Sequence, residues 1–363
     1  MRKLATTVLG SVLLLATAAC DAHPLMPASA LHERPPATTA PHAAIPAPVV
    51  GVDVYASTGY PLATVEADGM RVMRYIRSLH ATGAGIVWNL CSPGDRSDVV
   101  TACAGTLPVA GTRALARIAE TDGLAVQYRP VIRVGPQSRW DLPYASWEGF
   151  IRPVHQRAWF ASLYRAELPY LRQAQQVHAS QFVVATELQG LNASPWWPWF
   201  LAKVSAVYHG SVTATQQQNN YFARQYLPGR AYGVDFYPSL RLPDTATQAQ
   251  VTAAWERSLA RVPATVRERT ALDEVGFASV PGAYEAPQKW NRPGPADYVM
   301  QARWFTAACE TVARYHMRGL YFYEADLTEN PAQPWAFPAA FERRAGAQAI
   351  ARCATITGGP AVR

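Results

Sequence analysis

Past residue 49 the chain alternates short apolar runs with longer segments whose apolar residues recur every three to four positions. That is the layout of repeated strand–helix units around a parallel sheet. Eight runs read as strands: residues 51–55, 85–89, 125–134, 181–187, 211–215, 231–237, 270–275 and 319–324. Helical spacing predicts helices over 66–80, 112–122, 157–177, 195–208, 247–261, 295–315 and 338–351. Only the fifth strand leads into an irregular connection, residues 216–230. No sequence repeat is visible, and neither G-x-G-x-x-G nor G-x-x-x-x-G-K occurs. Eight strands in this order predict an α/β fold, a single closed (β/α)8 TIM barrel over residues 50–353, rather than an open doubly wound sheet. Residues 354–363 read as a C-terminal tail.

The first 49 residues break the pattern. Residues 1–19 have a basic start, an apolar stretch from Leu4 to Ala16 and then small residues, the plan of an export signal too short to span a membrane. Thr17-Ala18-Ala19-Cys20 resembles a bacterial lipobox, which implies lipidation of Cys20 and a membrane anchor; simple cleavage into a secreted protein is the alternative. Residues 20–49, rich in Pro and Ala, read as an extended tether. Asp21 resembles an inner-membrane retention signal of some Gram-negative bacteria.

Composition narrows the function. Of 363 residues, 49% are hydrophobic and 16% charged, enough apolar mass for a large core, so disorder and a coiled coil are excluded. The formal charge of +7 is carried almost entirely by scattered Arg, with Lys only at 3, 203 and 289. No basic run marks a nucleic-acid footprint. With Cys20 assigned to lipid, Cys91, Cys103, Cys309 and Cys353 remain, an even number for an oxidising compartment. Three pairings are possible; proximity favours Cys91 with Cys103 and Cys309 with Cys353. No C-x-x-C spacing points to metal, so no metal or organic cofactor is expected.

In a TIM barrel, chemistry sits at the carboxyl ends of the strands. Strand four ends in Thr186-Glu187-Leu188 and strand seven in Asp273-Glu274-Val275-Gly276-Phe277. A carboxylate after a buried apolar run is costly without a partner or a task. Two such groups across the mouth suit glycoside hydrolysis, where one acid protonates the departing oxygen and another carboxylate attacks the anomeric carbon. A structural ion pair with a rim arginine is the competing reading of each Glu. Asp273 is expected on the opposite face of its strand, paired to an Arg.

The plan resembles that of clan A glycoside hydrolases. The stretch from Trp147 through Trp159-Phe160 and Tyr164 to Thr186-Glu187-Leu188 is similar to the family 113 β-mannanases, as is Asp273-Glu274-Val275-Gly276-Phe277. The resemblance implies Glu187 as acid/base and Glu274 as nucleophile of a retaining enzyme acting on a β-linked polysaccharide or oligosaccharide. It departs from the family where Gln216-Gln217-Gln218-Asn219-Asn220 follows strand five in place of Asn and Trp; Thr186 before Glu187, where many clan members have Asn, is what resemblance to family 113 leads one to expect.

Sugar clefts use aromatic platforms with polar edges. Trp147 and Trp335 are the preferred platforms among the loop tryptophans, with Trp140, Trp196, Trp197 and Trp290 also on the functional side; Trp159, Trp255 and Trp304 read as core. Tyr237 in Asp235-Phe236-Tyr237-Pro238 resembles the clan's tyrosine that bonds the nucleophile. Asn89, Arg133, Thr186, Gln216 and Glu324 end strands and are candidate substrate contacts, Arg133 also as a carboxylate partner, while Asp53 is expected to close a hydrogen bond at the rim. His155, His178 and His209 read as helix-terminal surface groups. Alternatives are a cell-envelope polysaccharide hydrolase acting on a furanoside, and a non-catalytic carbohydrate-binding lipoprotein.

Overall fold

The computed structural model describes residues 47–56, 60–135, 148–227, 229, 231–333 and 336–358. The expected signal segment, Cys20, the expected tether up to residue 46, Trp140, Trp147 and Trp335 lie outside the described residues. Eight parallel strands, β1 (Val49–Ala56), β2 (Gly83–Ser92), β3 (Ala125–Val134), β4 (Gln181–Thr186), β5 (Ser211–Gln217), β6 (Tyr232–Asp235), β7 (Thr270–Val275) and β8 (Gly319–Asp326), close into a barrel in chain order, β8 pairing back onto β1. The helices are α1 (Leu62–Ser78), α2 (Val109–Thr121), α3 (Gln156–Gln176), α4 (Trp197–Ser205), α5 (Gln218–Phe222), α6 (Gln248–Ala260), α7 (Ala264–Arg267), α8 (Tyr298–Arg314) and α9 (Ala345–Ile356).

All eight predicted strands are present, within a few residues at each end. The last helix begins later than expected and continues to Ile356, because residues 337–344 form successive turns, among them Ala340 N–H to Phe337 O and Arg344 N–H to Phe341 O. The connection after β5 contains one short helix: α5 has five residues, against at least 13 for α1, α2, α3, α6 and α8. Side-chain caps start three of these helices: Gln217 accepting from Asn219 N–H on α5, Thr247 with Gln250 in a capping box on α6, and Asp297 accepting from Val299 and Met300 N–H on α8. Disulfides join Cys91 to Cys103 and Cys309 to Cys353, the pairing proximity favoured; the second ties α8 to α9.

The strands sort their side chains by alternation. Outward residues such as Val50, Val52, Ile86, Trp88 and Leu90 are buried against the helices, with Trp88 stacked on Tyr170 of α3 at 4.7 Å. The inward face is polar, in contrast to the Val/Ile/Leu layers usual in this fold. Gln127 donates to Gln181 at 3.2 Å and to Asp273 at 3.1 Å, Gln181 donates to Thr213 at 2.7 Å, and Thr215 donates to Asp273 at 2.5 Å. Glycine makes room for this lattice. A Cβ on Gly85 would lie 2.1 Å from Asp53 Oδ1, and one on Gly233 would lie 1.9 Å from Asp273 Oδ2.

Two expectations are corrected. Asp53 is not at the rim but fully buried inside the barrel, in an ion pair with Arg129 at 2.9 Å. Asp273 does not face away from Glu274, and its carboxylate is bonded by Thr215 and Gln127 rather than by an Arg side chain. The cause is a bulge in β7. Its register with β6 steps from Val234–Leu272 to Asp235–Glu274, and with β8 from Leu272–Leu320 to Val275–Phe322. One extra residue breaks the period of two, so consecutive carboxylates both point inward.

Candidate active site

The carboxyl ends of the strands open into a cleft of about 560 Å³. Glu187 and Glu274 both line it. Glu187 follows the last residue of β4 in the left-handed region, φ 50°, with its N–H bonded to Thr215 O at 2.9 Å. That conformation is costly for a residue with a side chain and persists where surrounding structure enforces it, often at functional sites.

Glu274 is held by side chains from three other parts of the barrel. The Tyr237 hydroxyl donates to Oε1 at 2.5 Å; Arg129 Nη2 lies 2.8 Å and the Tyr55 hydroxyl 3.4 Å from Oε2. The carboxylate keeps 14% of its surface exposed, toward the cleft. Arg129, fully buried, also bonds both Asp235 oxygens at 2.7 and 2.8 Å, Asp53 at 2.9 Å and the Asp273 carbonyl at 2.5 Å. Three carboxyl groups and a backbone carbonyl thus surround one guanidinium. Burial pushes Asp53 and Asp235 well above the usual carboxylate range, against the pull of Arg129, and raises Asp273 to about 6. Burial opposes the charge on Arg129, but Asp235, Asp53 and Glu274 outweigh it and lock the guanidinium on. Burial, then Glu274, drives the Tyr237 hydroxyl well upward, so it stays a donor.

Around this pair the expected contacts divide. Thr186, Arg133, Tyr237 and Glu324 line the cleft. Asn89 and Gln216 do not. Asn89 is buried behind Arg133, accepting from its Nε at 3.1 Å, and Gln216 turns away from the cleft to donate to the Gln225 carbonyl, while Gln217 and Gln218 take its place at the wall. Among the described tryptophans Trp290 lines the cleft, stacked on Tyr323 with ring centroids 5.4 Å apart. Trp197 is buried against Phe160 and Phe200, and Trp196 packs on Trp199 beneath Arg157. Trp159, Trp255 and Trp304 are core, as expected. His155 is exposed and pairs with Asp98 at 2.7 Å.

Sequence reasoning passed over Arg129, Asp235, Tyr55, Tyr323 and Glu148. Glu148, on a short 3-10 turn (Glu148–Phe150), lines the cleft half-buried, and burial raises it to about 7. Burial, then Asp326 and Glu274, drives Glu324 well upward. The signal for Arg129 was present: Gln127, Arg129 and Arg133 share the inward parity of β3. A buried charge there demands carboxylates from facing strands.

Fold and site together define a glycoside hydrolase: unlike carboxylates over one sugar-sized cleft with an aromatic wall, at the catalytic end of a TIM barrel. Residues 106–333, well over half of the chain, match the model of Glycoside Hydrolase Family 113, and the chain belongs to that family. No curated protein sequence matches. Among solved structures, a GH113 β-1,4-mannanase in complex form is similar with TM-score 0.70 at 16% identity, covering 85% of this chain and 98% of that one. The GH113 β-mannanase AaManA from Alicyclobacillus acidocaldarius, in complex with ManMIm, gives TM-score 0.65 at 18% identity with the same coverage. A GH5_18 protein from Streptomyces cattleya in complex with GlcNAc gives 0.55 at 13% identity, covering 87% and 82%. At these identities the structural likeness speaks for the fold.

Proposed function

We propose that this protein is a retaining, mannanase-like hydrolase of β-linked polysaccharides or oligosaccharides, with Glu274 as nucleophile and Glu187 as general acid/base. The observation that carries the assignment is the clamp on Glu274. Three donors converge on its two oxygens, which favours the ionised, oriented form a nucleophile needs. Glu187 faces the same cleft. In the first step Glu187 gives its proton to the glycosidic oxygen as Glu274 attacks the anomeric carbon and the leaving sugar departs. In the second, Glu187 takes a proton from water, whose oxygen displaces Glu274 and releases the product. Trp290 and Tyr323 offer an apolar face to a sugar ring, and Thr186, Arg133 and Glu324 are hydroxyl partners at its edges. The β-1,4-mannanase titles of the similar GH113 structures support a β-mannan as the first substrate to try.

Residues 1–20 support export and a lipid anchor on Cys20, with the tether separating barrel from membrane. A surface-bound, non-catalytic binder would not need a nucleophile clamp of this kind. The test is a polysaccharide panel led by β-1,4-mannan, assayed for new reducing ends and for anomeric configuration by NMR. Cutting with retention, lost in Glu187→Gln and Glu274→Gln, is expected. An inverted product overturns the double displacement; binding without cutting by wild type favours the binder.

A further inference from the structure

The shortness of α5 leaves a gap in the helical shell. The gap is a second groove, about 700 Å³, between α5 and the outer face of α6. It begins at Gln218, which also lines the catalytic cleft, passes residues 238–241 and follows α6 toward its end. The two hollows differ in sign. The cleft is walled by Glu148, Glu187, Glu274, Glu324 and Asp326 against Arg133. The groove is walled by Arg241, Arg257 and Arg261 and by no Asp or Glu.

All three arginines are exposed, and none makes an ion pair among the described residues. Arg261 is fixed in place, its guanidinium 3.9 Å from the centre of the Phe222 ring and its Nε donating to Ser258 O at 3.3 Å. Three guanidinium groups gathered around one concave surface, with no carboxylate in its wall, make a positively charged hollow suited to an anion. The rest of the wall is mixed: Gln218, Asn219, Ser239 and Ser258 carry amides and hydroxyls, the groups that bond sugars, and Phe222, Pro238, Leu240 and Ala254 are apolar. A membrane-binding face would instead present exposed apolar side chains, and Leu62, Met70, Val99, Phe150, Val154 and Val299 all lie outside the groove.

We propose that this flank groove binds an oxyanion carried by the glycan, a carboxylate, phosphate or sulfate on a residue or branch remote from the bond being cleaved. The inference rests on the glycoside-hydrolase reading of the cleft and deepens it. Neutral sugar rings occupy the acidic cleft, which repels anions, and the charged substituent is held by guanidinium groups in the basic groove, so the sign change sets the direction in which the chain lies.

The test compares binding of a β-1,4-linked oligomannuronate with its carboxyl-reduced, neutral counterpart, by calorimetry at low salt. Wild type is expected to hold the charged oligomer at least about tenfold more tightly, with the advantage shrinking as salt is added. Arg257→Ala/Arg261→Ala and Arg241→Ala/Arg257→Ala are expected to lose that advantage while hydrolysing neutral β-1,4-mannan at the wild-type rate; the second pair leaves the Arg261–Phe222 contact intact. Equal affinity for the two oligomers, or an advantage that survives in both variants, overturns the proposal. So does inorganic phosphate that competes as well as the oligomer binds, which would mark a bare anion site. Arginine-dependent binding to vesicles of equal phosphatidylglycerol and phosphatidylcholine, with none to the oligomer, would mark a membrane contact and overturn it as well. Failure of wild type to cut any neutral polysaccharide sinks the cleft reading alone, because the binding comparison is read without turnover.

Discussion

The two glutamates that share the cleft sit in different settings. Glu274 is fixed by side chains, with Tyr55 from β1, Arg129 from β3 and Tyr237 just past β6 all aimed at its oxygens. Glu187 is fixed by backbone, a left-handed residue whose N–H is tied to the neighbouring strand. The difference teaches how one barrel end can prepare two carboxyls for the separate tasks proposed for them. A charged lattice reaching to the barrel floor surrounds one, and a left-handed backbone turn at the end of β4 presents the other.

The largest expected effect comes from removing each carboxylate in turn. Glu274→Gln lowers kcat/KM by at least about 10³-fold on every substrate. Glu187→Gln gives a comparable loss on polysaccharide but a much smaller one on an aryl glycoside whose leaving group departs without a proton. Equal losses on both substrate types would erase the distinction between the two sides. Next is the lattice itself. Arg129→Met leaves buried carboxyls without their cation and destabilises the fold by about 3–5 kcal/mol near neutral pH. Denaturant melts check this, and an unchanged midpoint would mean the network is ornamental.

The aspartates make the same point through pH. Asp273 is raised to about 6 by burial, against about 3.9 in an unfolded chain. The native state therefore keeps a proton the unfolded chain has released, and stability falls as pH rises from about 4 to about 6. Asp273→Asn is expected to flatten that decline, read from melting temperatures stepped through the window. On the cleft wall, Trp290→Ala is expected to raise KM roughly three- to tenfold with kcat little changed, the loss of one stacking face. The smallest effect belongs to Gln216→Leu: its side chain faces the Gln225 carbonyl rather than substrate, and kcat/KM should stay within about twofold.

How far the sequence leads follows the same division. Strand order, helix order, both glutamates and Tyr237 were legible because each sits at the end of an apolar run, and an end is a local feature. Arg129 was visible only as parity within β3, and its meaning depended on Asp53 and Asp235, which lie 76 and 106 residues away along the chain. Asp273 was misread because alternation assumes an unbroken strand, whereas the bulge in β7 is set by pairing with β6 and β8. Gln216 was chosen over Gln217 and Gln218 for a similar reason: the end of β5 lies two residues later than its apolar pattern suggests. Family 113 resemblance narrowed the chemistry, and Trp290, one of several loop tryptophans on the functional side, is the one that lines the cleft among the described tryptophans, stacked on Tyr323.

The glycines at 85 and 233 carry a lesson for anyone redesigning this enzyme. Each is an empty socket into which a carboxylate of the lattice fits, so one added methyl group would displace Asp53 or Asp273 and tilt the machinery above it. A library screen would score such changes as catalytic defects, though no sugar ever comes near them. Diversity is better spent on the rim, with the sockets left vacant.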